Sequence, residues 1–212
     1  MITICSDKNP LYECKTIKTF ISWRENLKNK KVKTEKQLYF EQIDQFYSRS
    51  LPSNREIVVF RYTPRYLIQL GAKQVPVIIR QSTLNKCIRS PKGSRSAHNL
   101  SRNIIESIPN EMRHPIIVVR DEERNTLVLI CHGVSQNGNN LLIALQLNNI
   151  LYGNEVNEIK TIYGKEHLLE YLRKQDVVNI YIIDKEKVNI FSPSIGFQLP
   201  KPPTDIDYIN NI

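Results

Sequence analysis

A single histidine, His98, lies in a cationic stretch that immediately precedes an apolar helical pattern. The stretch covers residues 90–103, has the sequence SPKGSRSAHNLSRN and contains no carboxylate. The first N–H groups of a helix attract anions, and neighbouring cations oppose the protonation of an imidazole. We therefore predict a lowered pKa for His98, which a bound phosphate would raise towards the range useful for acid–base catalysis. A solvated loop histidine without a role is the alternative.

A second group of chemically useful side chains lies in the sequence KTIYGK at residues 160–165. If this segment is a strand, alternate residues point the same way, so Thr161, Tyr163 and Lys165 share one face. A hydroxyl, a phenol and an ammonium group would then line one surface. The alternative is a half-buried strand that turns its polar side to water.

Several other chemistries lack their sequence signatures. The chain has no phosphate-binding P-loop, no dinucleotide-binding glycine fingerprint and no nucleophile elbow. The carboxylates do not cluster as a two-metal nuclease site requires, and the four cysteines, at positions 5, 14, 87 and 131, lack zinc-site spacing. The residue inventory therefore predicts reduced thiols, no metal and no cofactor, and it best fits a metal-independent reaction on a phosphodiester.

The positive charge of the chain is concentrated in its middle. The 212 residues carry a net charge of +9, and residues 55–115 hold 11 Lys/Arg against 3 Asp/Glu. Such a segment attracts a polyanion such as nucleic acid, although a solvated, solubilising surface is the alternative. From position 80 to position 102 there is no acidic residue, and the basic residues are Arg80, Lys86, Arg89, Lys92, Arg95 and Arg102.

The elements that must position these groups are helices first and strands afterwards. Helical spacing of apolar residues predicts a hairpin of two helices between residues 11 and 49. Short helices and one short strand follow at TPRYLIQLGA, VPVIIR, STLNKCI and LSRNIIESIPNEM. Strands joined by short turns are then predicted at PIIVVR, TLVLICHG, NLLIALQL and VNEIKTIYG, before a helix at KEHLLEYLRK and a last strand at VVNIYIID.

This order predicts an α+β fold: an antiparallel β-sheet of about 4–5 strands with helices packed on one face, preceded by an N-terminal α-helical hairpin. Three regions are predicted: an N-terminal helical extension at residues 1–55, the α+β domain at 56–190, and a Pro-rich extended tail at 191–212. The absence of an apolar span and of a secretory signal predicts a cytoplasmic protein that does not engage a membrane.

The order of these segments between about residues 60 and 188 resembles the toxin domain at the C-terminus of phage MuF-type proteins, which belongs to the barnase/EndoU/colicin/RelE ribonuclease group. The matching text is TPRYLIQLGAKQVPVIIRQSTLNK, HNLSRNIIESIPNEMRHPIIVV, LVLICHG, NNLLIALQL, VNEIKTIYGKEHLLEYL and NIYIIDKEK. The resemblance implies a ribonuclease-toxin-like domain whose site residues are Lys86, His98, Thr161 and Tyr163, with Lys165 just beyond.

We predict a metal-independent, toxin-like endoribonuclease in which the ribose 2′-hydroxyl attacks the adjacent phosphorus and leaves a 2′,3′-cyclic phosphate. His98 would move a proton, Lys86 would stabilise the phosphate charge, and Thr161 and Tyr163 would orient the phosphate or share proton transfer. Substrate contacts are predicted for Arg80, Arg89, Lys92, Arg95, Arg102 and Lys165.

The predicted partners are RNA and an immunity or antitoxin protein, in the cytosol of the producing or a target bacterial cell. The alternative function is that of a catalytically inactive RNA- or protein-binding member of the same fold, with a phage- or defence-related role. A ribonuclease should stop growth when it is expressed without an inhibitor, whereas a binding protein should retard RNA in a gel without cleaving it.

Overall fold

The computed structural model describes residues 33–53, 55–89, 98–175, 179–184 and 187. The chain divides into two compact units, residues 1–34 and residues 35–212, and the helices and strands given below lie in the second. The first helix of the predicted hairpin and the predicted tail lie outside the described residues. Within the described ranges, no helix is both long and apolar enough to cross a lipid bilayer.

Helices and strands alternate in the first half of the second unit, and strands dominate afterwards. The helices are α1 (Glu35–Tyr47), α2 (Arg65–Gln69), α3 (Gln81–Ile88), α4 (Arg102–Arg113) and α5 (Leu168–Arg173). The strands are β1 (Ile57–Phe60), β2 (Val77–Ile79), β3 (Ile117–Asp121), β4 (Thr126–Val134), β5 (Asn140–Leu151), β6 (Asn154–Gly164) and β7 (Ile180–Ile182). The predicted mixture of helices with a mainly antiparallel sheet is confirmed.

One sheet contains seven strands in the order β1-β2-β6-β5-β4-β3-β7. Neighbouring strands pair antiparallel, except that β2 and β6 are parallel. The prediction of four or five strands is therefore wrong, because β1 and β2 extend the sheet beyond β6. These two strands have only four and three residues. The sequence predicted β2 as a short strand within VPVIIR, whereas β1 was not predicted, because four residues are too few for period-two alternation to identify a strand. Local sequence also does not show that β2 pairs with β6.

Apolar side chains cover both faces of the sheet. The larger core cluster includes Ile43 of α1, Leu84 of α3 and Ile108 of α4. A second cluster lies on the other face and includes Leu168 and Leu172 of α5. The prediction that the helices pack on one face is therefore wrong for α5. The physical reason lies in β3, whose first three residues are all buried, so that both of its faces need a cover.

Helix α1 is part of the second unit, although it falls within the predicted extension of residues 1–55. Its Tyr39 and Ile43 are fully buried. The Tyr39 hydroxyl donates a hydrogen bond of 2.6 Å to the Ile105 carbonyl in α4, and Asp44 pairs with Arg102 at the start of α4. Helix α1 thereby holds the helix that begins just after His98.

Strand β6 extends beyond its parallel neighbour β2, and the candidate site lies at its far end. β2 pairs with residues 157–159 of β6. Helix α3 follows β2 directly, and Cys87 near its end contacts the backbone of Ile162. The His98 N–H then donates to the Lys86 carbonyl at 3.3 Å. This hydrogen bond places His98 beside the end of β6.

Candidate active site

Three of the four predicted catalytic side chains come together at the end of β6. The Nε2 atom of His98 lies 3.3 Å from Oγ1 of Thr161. The rings of His98 and Tyr163 stack with centroids 5.4 Å apart and planes inclined by 30°. The two aromatic rings and the hydroxyl thus form one cluster, which contains a titratable imidazole, a phenol and an alcohol.

A cavity of about 270 Å³ opens beside this group, and we call it the His98 cavity. Three chain segments line it. The segment before α4 contributes His98 and Asn99, and the end of β6 and the residues after it contribute Tyr163, Gly164 and Glu166. The turn between β4 and β5 contributes Ser135, Gln136, Asn137 and Asn139.

A β-bulge in β6 sets the direction of its side chains. Ile159 pairs with Leu145 of β5 and Thr161 pairs with Ala144, so Lys160 between them is an extra residue. The bulge allows both Ile159 and Ile162 to join the larger core cluster. Thr161 and the residue two positions on, Tyr163, then both reach His98. The strand alternation predicted this shared face for Thr161 and Tyr163.

The segment that carries His98 is held by backbone hydrogen bonds. The Asn99 N–H donates to the Arg89 carbonyl at 3.0 Å, and the Leu100 N–H donates to the Cys87 carbonyl at 2.8 Å. Asn99 has a positive φ of 49°, in the left-handed region that asparagine tolerates better than most residues. Leu100 is buried in the larger core cluster. These contacts fix the backbone directly after His98.

Burial moves the pKa values of the two site rings in opposite directions. Partial burial disfavours the imidazolium ion, so the pKa of His98 lies below the ordinary value of 6.5. Partial burial also disfavours the phenolate, so the pKa of Tyr163 lies above 10.0. The pKa of His98 is lowered as predicted, and within the described residues the cause is burial. Lys92 and Arg95, two of the neighbouring cations on which the prediction rested, lie outside the described residues.

The fourth predicted catalytic residue, Lys86, supports the site through its backbone. Its carbonyl accepts the hydrogen bond from the His98 N–H, and its side chain is exposed on α3. Lys86 does not line the His98 cavity. Its predicted role in stabilising phosphate charge therefore stays a prediction.

The predicted substrate-binding cations are distributed over several places. Arg80 forms an ion pair with the buried Glu158, with Nε and Oε1 2.8 Å apart. Arg102 pairs with Glu106 at 2.6 Å and with Asp44, and its guanidinium lies over the ring of Tyr47. Neither arginine lines the His98 cavity.

Two further predicted cations lie closer to the site. The ammonium group of Lys165 lies 5.2 Å from the ring centroid of Tyr171. Both residues line a neighbouring cavity of about 460 Å³, which shares Tyr163, Gly164 and Glu166 with the His98 cavity. Arg89 is exposed and accepts the Asn99 N–H through its carbonyl.

Sequence reasoning missed the amide and carboxylate groups of the cavity. Gln136, Asn137 and Asn139 belong to the sequence SQNGNN, whose composition indicates a turn and gives no chemical signal. Glu166 follows the KTIYGK segment directly, and a carboxylate adjacent to a candidate site motif was the signal that could have identified it.

The described ranges contain no cluster of metal ligands and no reactive thiol. There, no group of three or more His, Cys, Asp and Glu side chains could hold a metal ion. Cys87 and Cys131 are free and buried. Burial raises the pKa of Cys87 to about 11 and raises that of Cys131 still further. A thiol that stays protonated at neutral pH is a poor nucleophile.

Comparison with known proteins gives one match. Residues 89–190, slightly less than half of the chain, match the family model of the phage MuF C-terminal domain. The resemblance noted from the sequence is confirmed to that extent, and the matched range contains His98, Thr161 and Tyr163. No curated protein matches, and no solved structure matches.

Proposed function

We propose, from the match to a phage domain and from the His98 cavity, that this chain is a metal-independent, toxin-like endoribonuclease. The observation that carries the proposal is the His98 imidazole, 3.3 Å from the Thr161 hydroxyl and stacked on Tyr163 at the edge of a cavity. Intramolecular attack of a ribose 2′-hydroxyl needs one proton acceptor, one proton donor and no metal, and this cluster has both groups.

The opposite pKa shifts support separate proton roles for the two rings. His98 is neutral at neutral pH and accepts the proton of the 2′-hydroxyl as its oxygen forms a bond to phosphorus. Tyr163 stays protonated and donates its proton to the departing 5′-oxygen as the phosphorus–oxygen bond breaks. The products are a 2′,3′-cyclic phosphate and a 5′-hydroxyl, and proton exchange with water restores both side chains.

Charge on the phosphate must be stabilised by groups at or near the cavity. The Thr161 hydroxyl can donate a hydrogen bond to a non-bridging oxygen. Lys165 in the neighbouring cavity and Lys86 on the adjoining helix supply positive charge nearby. The excess of cations in residues 55–115 would attract RNA over longer distances.

A catalytically inactive RNA- or protein-binding protein is the second candidate function. The observation that favours it is the engagement of Arg80 and Arg102 with Glu158, Asp44 and Glu106, which reduces the charge they can offer to a transition state. Under either function we propose a phage- or defence-related role, with an immunity or antitoxin protein as partner in the first case and action in the bacterial cytosol.

Cleavage of labelled RNA by the purified full-length chain in excess chelator tests the proposal. We expect fragments that end in a 2′,3′-cyclic phosphate, and no cleavage at a position where a 2′-deoxynucleotide replaces the attacking ribose. Fragments that end in a 3′-hydroxyl would exclude the mechanism. Retarded migration of intact RNA in a gel would support the binding protein instead.

The pH dependence of kcat/KM provides a further prediction. The base form of His98 is populated above its pKa, which lies below 6.5, and the acid form of Tyr163 persists above pH 10.0. The rate should rise with pH through a midpoint below 6.5 and then stay level across neutral pH. A rate that falls as the pH rises from 5 to 7 would instead assign His98 to the acid role, since its charged form would then be the active one.

A further inference from the structure

The wall of the His98 cavity that the β4–β5 turn forms contains three amide side chains. We call residues 135–139 of this turn, which include Gln136, Asn137 and Asn139, the amide turn. Asn99 adds a fourth amide from the segment before α4. Each amide offers both hydrogen-bond donors and an acceptor. This combination suits the edge of a nucleobase, which has donors and acceptors in a fixed pattern, better than it suits a phosphate, which has acceptors alone.

The amide turn is held in a defined conformation. The Ser135 N–H donates to the Asn139 carbonyl at 2.8 Å, and the Gly138 N–H donates to the Ser135 carbonyl at 2.9 Å. Gly138 has a φ of 75°, which glycine adopts without strain. The turn therefore presents its side chains from a closed, hydrogen-bonded backbone.

Two contacts attach the amide turn to the catalytic segments. The side-chain amide of Asn99 donates to Oε1 of Gln136 at 2.8 Å. The side-chain carbonyl of Gln136 accepts this bond, so its NH₂ group is the part that can bind a ligand. On the other side, Ser135 packs so tightly on Gly164 that a Cβ atom there would overlap with the serine side chain.

The stacked rings supply the second requirement of base recognition. His98 and Tyr163, whose ring centroids lie 5.4 Å apart, both line the cavity. Sequence-specific recognition of single-stranded RNA commonly combines an aromatic stacking partner with hydrogen bonds to the exposed base edge. Here the amide turn and the two rings line the same cavity.

We propose that the amide turn recognises one nucleobase next to the reacting phosphate, and so sets the base preference of the protein on single-stranded RNA. The proposal rests on the proposed function for its substrate class. It assigns Asn137 and Gln136 as specificity-determining residues and assigns Ser135 and Gly164 as positioning residues.

Binding of short 2′-fluoro oligonucleotides, one for each base, tests the proposal with the full-length chain. These ligands lack the attacking hydroxyl, so affinity is measured without cleavage. We expect one base to bind about tenfold or more tightly than the weakest, the scale of one good base contact. The variant Asn137→Ala should level the four affinities. The control Asn154→Ala replaces an exposed asparagine at the start of β6 and should leave the preference unchanged.

A pair of variants tests the position of the turn. Gly164→Ala should displace the amide turn and remove the preference, and the double variant Ser135→Gly, Gly164→Ala should restore it, because it removes the overlapping serine side chain. The double variant also separates displacement of the turn from a general loss of folding. Equal affinities for all four bases in the natural chain, or a preference that survives both Asn137→Ala and Gly164→Ala, would overturn the proposal.

The outcome is separable from that of the ribonuclease proposal. Base-selective binding of the 2′-fluoro ligands without any cleavage of RNA would retain the amide turn as a recognition element and reject the catalytic function. Cleavage with cyclic phosphate ends but equal affinity for all four bases would retain the catalytic function and reject the amide turn as a recognition element.

Discussion

Replacing His98 with alanine is expected to reduce RNA cleavage by about 10²–10⁴-fold, the usual contribution of a positioned acid–base group. The loss should appear in kcat, because the imidazole acts as the 2′-oxygen bonds to phosphorus. Single-turnover cleavage of a short labelled RNA measures it. Affinity for the 2′-fluoro ligands should fall by a smaller factor, which reports the loss of His98 as a stacking ring.

Two variants control for the His98 result. His114→Ala removes an exposed histidine at the end of α4, outside the His98 cavity, and should leave the rate unchanged. Thr161→Val removes the hydroxyl 3.3 Å from Nε2 while keeping a similar volume, and should cost less than the loss of the imidazole. A His98→Ala protein as active as the natural chain would remove His98 from the mechanism.

Replacing Arg80 with alanine is expected to lower the free energy of unfolding by about 3 kcal/mol, the lower end of the range for breaking a buried ion pair. The side chain of Glu158 is only 2% exposed, whereas that of Arg80 is 39% exposed. Removing the arginine therefore leaves a buried carboxylate. Two remaining partners of the Glu158 carboxylate keep the loss of stability at the lower end of that range. They are the Lys160 ammonium group, 3.3 Å away, and the Asn149 side-chain amide, 2.6 Å away. Denaturant unfolding measures the change.

A matched variant separates this structural role from the predicted role in substrate binding. Arg89→Ala removes the same charge from an exposed position near the end of α3, and should change the unfolding free energy by less than about 0.5 kcal/mol. Because Arg80 already bonds Glu158, its loss should change the salt dependence of RNA binding little. An unchanged unfolding free energy in Arg80→Ala, together with a weaker salt dependence, would show that RNA displaces Glu158 from the arginine.

The ion pair between Arg80 and Glu158 also connects two elements of the candidate active site. Arg80 precedes α3, and Glu158 lies on β6 before the bulge, 78 residues along the chain. The pair therefore ties the helix that holds His98 to the strand that holds Thr161 and Tyr163. Loss of the pair should loosen the contact between His98 and Thr161 as well as lower stability.

Local periodicity in the sequence determined much of what lies close together along the chain. The alternation of KTIYGK placed Thr161 and Tyr163 on one face, and they do reach the same imidazole. The antiparallel strands β3 to β6 followed from apolar runs joined by short turns. Both of these features depend on residues within a few positions of one another. The lowered pKa of His98 was predicted in the right direction from neighbouring cations, but its cause in the described residues is burial, which depends on tertiary packing.

The tertiary structure alone decided which distant segments meet. Periodicity states which face of a strand is apolar and does not state its partner, so the parallel pairing of β2 with β6 and the packing of α5 on the second face were not predictable. Charge composition likewise did not predict that Arg80 forms an ion pair with Glu158. The amides of residues 136–139 became part of the site only because the β4–β5 turn reaches Asn99 and Gly164. The sequence therefore determined the chemistry available to this protein, while long-range packing decided which of those groups share one cavity.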